Sequence, residues 1–143
     1  MDLFSKLRKM NILLVDDDEL IRHSMTLFFE FEGCRLHTVA TAEEGLKELE
    51  KKTYDIIIAD YRLPGIDGLE LLERSREINP YAMKILLTAY GSKEIVSEAH
   101  RLGAQDFIPK PFTMEAIEDS LARLIELDEA RPDYHRKGGN SEN

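Results

Sequence analysis

From Asn11 onward, short apolar runs rich in β-branched residues alternate five times with longer stretches of helical period, and few folds accommodate that alternation. A run such as Asn11–Val15, apolar without a break after its first residue, suits a strand covered on both faces, and a helix between consecutive strands supplies the crossover that a parallel sheet requires. The expectation is an α/β fold, with strands at Asn11–Val15, 35–40, 55–59, 84–87 and 106–108. The segments between them carry helix signals. Ile21, Met25 and Phe28 recur at i, i+4 and i+7, and Gly33 stands where a left-handed cap belongs. Thr41 and Glu44 form a T-x-x-E capping box ahead of Leu46 and Leu49. Asp67 and Glu70 open a helix with Leu69, Leu72 and Ile78 that Pro80 stops. Gly91 leads into a helix with Ile95, Ala99 and Leu102 that ends at Gly103. Thr113 caps a last helix with Met114, Ile117, Leu121 and Leu124 as its buried stripe.

A chain of 143 residues is expected to form one domain, here residues 10–128, with an N-terminal arm at 1–9 and a flexible polar tail at 129–143. Leu3, Phe4, Leu7 and Met10 in the arm recur beside Lys6, Arg8 and Lys9, a pattern open to a membrane-surface reading but better suited to a packed or frayed arm. The formal charge of −9 speaks against direct nucleic-acid binding. A single cysteine, Cys34, excludes an intramolecular disulfide and fits a reducing compartment. Neither a membrane-spanning run nor a secretory signal is legible, so the expected location is the cytoplasm.

In an open parallel α/β sheet, ligands bind at the carboxyl ends of the strands. Here the residues leaving the apolar runs are Asp16, Asp17 and Asp18 after the first strand, Asp60 after the third, Thr88 after the fourth and Lys110 after the fifth. Converging carboxylates repel unless they share a proton or hold a hard cation. Magnesium, an oxygen-seeking ion content with one or two carboxylates, is the better match; calcium is secondary, because no D-x-D-x-D-G loop is present. A carboxylate flanked by a cation, a hydroxyl and an ammonium suits in-line attack on phosphorus, with an aspartyl phosphate as product. Each residue singly reads as a cap, sheet filler or surface lysine; their joint placement on four strands carries the inference.

Four runs, I-L-L-V-D-D-D, D-I-I-I-A-D-Y-R-L-P-G-I-D-G, I-L-L-T-A-Y-G and G-A-Q-D-F-I-P-K-P-F, occur in order between Met10 and Asp128. With this spacing the chain resembles a bacterial response-regulator receiver domain. The resemblance implies a doubly wound (βα)5, flavodoxin-like sheet of order 2-1-3-4-5. It implies Asp60 as phosphoacceptor, Asp17 and Asp60 as direct magnesium ligands, Asp16 acting mostly through water, and the Arg62 carbonyl as a further ligand. Thr88, the backbone after it and Lys110 would hold the phosphoryl oxygens, and the Lys110-Pro111 peptide would be cis. Thr88 and Phe107 would switch together on phosphorylation and remodel the face of the fourth and fifth helices of the five units. Phe107 lacks the hydroxyl of the commoner tyrosine, so its part in the switch rests on packing. Arg62 and Tyr90, two residues beyond Asp60 and Thr88, are expected at the rim, where they would set the lifetime of the acyl phosphate.

The implied partners are a sensor histidine kinase or histidine phosphotransfer protein as donor, and a downstream target or a phosphorylation-dependent homodimer as output. Leu27, Phe28, Phe29 and Phe31 exceed what one buried stripe needs, so some are expected to lie exposed for docking. The implied function is a phosphorylated switch; a phosphorelay shuttle and the excised receiver of a multidomain activator are alternatives. A haloacid-dehalogenase-type phosphatase needs D-x-D where this chain has Asp60-Tyr61-Arg62, and a dinucleotide site needs a G-x-G-x-x-G that is missing. A receiver-like scaffold that never takes phosphate would not need the complete acidic site. No turnover of small substrates is expected beyond self-phosphorylation and slow autodephosphorylation.

Overall fold

The computed structural model describes residues 2–89 and 91–130, so the rim position of Tyr90 and the tail from 131 to 143 lie outside the described residues. The elements run α1 (Leu3–Leu7), β1 (Asn11–Val15), α2 (Glu19–Phe31), β2 (Arg35–Val39), α3 (Ala42–Lys51), β3 (Ile56–Asp60), α4 (Gly68–Ile78), β4 (Met83–Thr88), α5 (Lys93–Arg101), β5 (Asp106–Pro109) and α6 (Met114–Glu129). All strand pairs are parallel and the sheet order is β2-β1-β3-β4-β5. The doubly wound order is therefore the one the resemblance implies.

Side-chain alternation along each strand divides the core into two layers. Ile12, Leu14, Ile56, Ile58, Ile85 and Leu87 point to the face covered by α1, α2 and α6, where Leu7, Met25, Phe29, Ile117 and Leu121 meet them. Leu13, Val15, Ile57 and Ala59 point to the other face, under α3 and α4, and Leu86 packs there with Leu72, Ala99 and Leu102. Several helix ends are secured as the sequence suggests. Thr41 and Glu44 form a reciprocal capping box, Asp67 and Thr113 accept hydrogen bonds from Glu70 and Ala116, and Gly33 has φ +77°. Each cap contributes about 1 kcal/mol.

The differences are local. Met25 and Phe29 form the fully buried pair on α2, while Phe28 is half-buried against Phe4, with ring centroids 6.0 Å apart. Ser92, just after Gly91, caps α5. Glu129, placed in the tail by composition, ends α6, where it pairs with Lys6 of α1 at 2.9 Å. The arm itself is packed: Asp2 caps α1 and Leu7 is completely buried. Cys34 is buried, which pushes its thiol pKa up. Among the described residues, no helix is long and apolar enough to cross a membrane.

Candidate functional site

Strand register brings the site together. Val15 pairs with Ala59, so Asp16 and Asp60 occupy the next positions of neighbouring strands. Asp60 stands opposite Leu87, one residue before Thr88, and Thr88 stands opposite Pro109, one residue before Lys110. Asp16, Asp60 and Thr88 are buried, Lys110 is half-buried and Asp17 is exposed. The Lys110 Nζ lies 3.0 Å from Asp16 Oδ2 and 3.2 Å from Asp60 Oδ2. The Lys110-Pro111 peptide is cis.

The three successive aspartates have three different jobs. Asp18 is the N-cap of α2, its carboxylate accepting from the backbone N–H of Leu20 at 2.9 Å and of Ile21 at 3.4 Å. Asp16 accepts the Asp18 N–H through Oδ1 at 2.9 Å, which turns its other oxygen inward. That oxygen, Oδ2, is buried and is met by the Lys110 ammonium as an ion pair at 3.0 Å. Asp16, Asp17 and Asp60 each offer a carboxylate oxygen within 4.8 Å of the others. Three carboxylates converging in an all-oxygen cluster, with one ammonium to offset them, fit a hard divalent cation, and these residues could hold one.

Electrostatics agree with that need. Burial, then the neighbouring charge of Asp16, holds the Asp60 carboxyl above the ordinary aspartate pKa; Lys110 works against this and Asp17 adds to it. Burial works against the Lys110 ammonium, but its contacts with Asp16 and Asp60 outweigh that and raise its pKa. An ionised Asp60 therefore depends on nearby positive charge.

Arg62 is exposed at the rim, and Phe107 is half-buried with Tyr61, Leu69 and Ile95 in the α4–α5 layer. Two supporting residues carried no assignment from sequence. Gly68 opens α4 against the Asp60 backbone, where a Cβ would lie 2.3 Å from the Asp60 carbonyl oxygen. A glycine at the first turn of a helix, where it is a poor helix former, was the signal for it. Arg22 Nη1 donates to the Asp16 carbonyl at 2.9 Å. Beside the site, Leu20, Ile21, Ser24, Lys110, Phe112 and Met114 help line a cleft of about 470 Å³. Leu27 and Phe31 lie exposed on α2, Phe31 at 87% of its surface, whereas Phe29 is core.

The family model described as the response regulator receiver domain matches residues 12–122. Sporulation initiation phosphotransferase F of Bacillus subtilis (strain 168) is 33% identical over 116 residues, covering 81% of this chain and 94% of that protein. Other curated relatives, 34–36% identical, are much longer, and the chain spans 24–25% of their length. A CheY-like receiver domain from Methanospirillum hungatei JF-1 superposes with a TM-score of 0.74 at 35% identity, covering 82% of this chain and 97% of that one. A response regulator from Burkholderia pseudomallei, solved with a phosphorylated aspartic acid, a calcium ion and citrate, superposes with a TM-score of 0.74 at 27% identity. That match covers 85% of this chain and 73% of the other. With the motifs, the sheet order and the acidic strand ends all accounted for by one family, the chain belongs to the response regulator receiver domains.

Proposed function

We propose that Asp60 accepts a phosphoryl group from a phosphohistidine-bearing donor, a sensor kinase or a phosphotransfer protein, and that the aspartyl phosphate switches binding to a downstream target or a second copy. One observation carries the reading: Asp16, Asp17 and Asp60 converge within 4.8 Å, and Lys110 bridges two of them. Asp60 attacks phosphorus, a P–O bond forms, the P–N bond to the donor imidazole breaks, and the released ring nitrogen takes a proton from solvent. Lys110 leaves Asp16 and Asp60 in part to neutralise the phosphoryl oxygens, and the Thr88 hydroxyl donates to one of them.

Asp17, Asp60 and the Arg62 carbonyl hold magnesium, with Asp16 acting through water; when bound there, the cation supplies charge neutralisation at the phosphoryl group. The Burkholderia regulator, solved with both a phosphorylated aspartic acid and a calcium ion, supports a divalent ion at this kind of site. Thr88 and Phe107 form the switch, and the face of α5, β5 and α6 changes with them. Arg62 and Tyr90 set the lifetime of the acyl phosphate. The donor docks at the cleft between Leu20 and Phe112 beside Lys110. The relation to a phosphotransferase of similar length supports relay of the phosphate onward as a second reading.

The test is incubation with magnesium and acetyl phosphate, followed by intact mass over time. Gain of one phosphoryl group by the wild type and none by Asp60→Asn is expected. Equal gain by both would refute the assignment of Asp60.

A further inference from the structure

We infer that Arg22 is a positioning residue for the metal-binding turn, acting through the main chain rather than through its charge. This rests on the proposed metal site and adds to it a residue outside the acidic cluster. The peptide joining Asp16 to Asp17 links two of the three carboxylates, so its orientation decides whether both oxygens face the same point. The Asp16 N–H donates to the Val39 carbonyl at 3.1 Å, and the Asp16 side chain is tied to the Asp18 N–H at 2.9 Å. The carbonyl of the Asp16–Asp17 peptide accepts from Arg22, through Nη1 at 2.9 Å.

Arg22 is half-buried one turn into α2, a helix whose own start is capped by Asp18. Cap, turn and guanidinium thus form a closed ring of contacts from Asp16 through Asp18 to Arg22 and back. A ring of this kind fixes the backbone from which the exposed Asp17 carboxylate approaches the buried carboxylates of Asp16 and Asp60. Support of this sort behind metal ligands changes metal affinity about 10-fold or more when it is removed.

Charge and positioning predict opposite signs. A guanidinium beside three carboxylates opposes a divalent cation, so if Arg22 acted only by charge, its removal would tighten metal binding. If it positions the turn, removal weakens binding although a repulsive charge has gone. The experiment is titration of the full chain with Mn2+, following the free ion by electron paramagnetic resonance, for wild type, Arg22→Met and Arg22→Lys. Thermal melting in metal-free buffer runs alongside.

Arg22→Met is expected to bind Mn2+ about 10-fold more weakly, with melting close to wild type, and Arg22→Lys to fall between. Binding by Arg22→Met that is unchanged within about twofold, or tighter, overturns the inference. If Arg22→Met is too unstable to titrate, Arg22→Lys carries the same test, with unchanged binding as the refuting result. Failure of the wild type itself to bind Mn2+ overturns the metal reading and this inference together, an outcome distinct from normal wild-type binding that the variants do not disturb.

Discussion

Lys84, the second residue of β4, has 3% of its surface exposed, and its ammonium donates to the Ala82 carbonyl at 3.2 Å. Burial, helped by the nearby positive charge of Arg76, lowers its pKa from 10.5 to about 8. At about 1.4 kcal/mol per unit, that shift means the folded state carries a charged Lys84 at neutral pH at a cost of about 3 kcal/mol. The sign follows from proton counting. Between about pH 8 and 10.5 the unfolded chain holds this proton more tightly than the folded one, so the Lys84 contribution to stability rises with pH across that window. It is lost again as pH falls through about 8. Lys84→Met keeps the length of the stem and removes the charge. The variant is expected to be more stable than wild type at pH 7 by up to about 3 kcal/mol, less whatever the Ala82 carbonyl loses with its donor. By pH 9.5 the gap should narrow by about 2 kcal/mol, because wild-type Lys84 is then neutral when folded. Urea unfolding followed by far-ultraviolet circular dichroism at pH 7, 8.5 and 9.5 reads both. Tyr54, whose pKa is raised by burial and by Glu48, pulls the other way at higher pH, but it is common to both proteins and cancels in the difference. A gap that does not change with pH, or a variant less stable at every pH, would show that Lys84 does not carry a buried charge cost.

Asp60→Asn relieves the carboxylate crowding and is expected to raise the melting temperature in metal-free buffer; addition of magnesium should close the gap by stabilising wild type, by about 1.4 kcal/mol at ten times its dissociation constant. An Asp60→Asn protein that melts below wild type without metal would contradict the upward pKa shift of Asp60. Gly68→Ala drives a methyl into the Asp60 carbonyl, and a loss of about 2 kcal/mol or more in urea unfolding is expected together with slower phosphorylation. A stability within about 0.5 kcal/mol of wild type would mean that α4 can shift freely. Leu7→Ala should cost about 2–5 kcal/mol, the range of a core leucine, although the residue lies in the terminal arm. A loss under about 1 kcal/mol would identify the arm as loosely attached.

The strands and the residues that leave them were legible because both follow from one periodicity: a doubly covered strand is an unbroken apolar run, and its last apolar residue marks where the site begins. Asp16, Asp60, Thr88 and Lys110 all stand at such positions. What escaped were features that depend on phase or on distant partners. Ile21, Met25 and Phe28 do pack in the layer under α2, but that Phe29 joins Met25 as fully buried while Phe28 stays at the edge against Phe4 is a ranking periodicity does not give. Lys84 read as the polar start of a strand; that it is buried instead depends on packing near Gly103 and Arg76 across the sheet face. Asp18 resembled its two neighbours in type, and its role as a cap follows from where α2 begins, one residue later. At five residues, α1 is too short for its own pattern to reveal that α6 would complete it.

The contact between Lys6 and Glu129 spans 123 positions of sequence. Among the described helices α1 precedes all the others in the chain, yet the groups that enclose Leu7 include residues of α6, the last helix described. A segment made before α6 therefore waits for it to be locked in place, and until α6 emerges the layer of Ile12, Leu14, Ile56 and Ile85 stands open on that side. Closure of this layer requires α6, and nascent chains that have not yet added α6 are expected to be the form that chaperones hold and proteases remove.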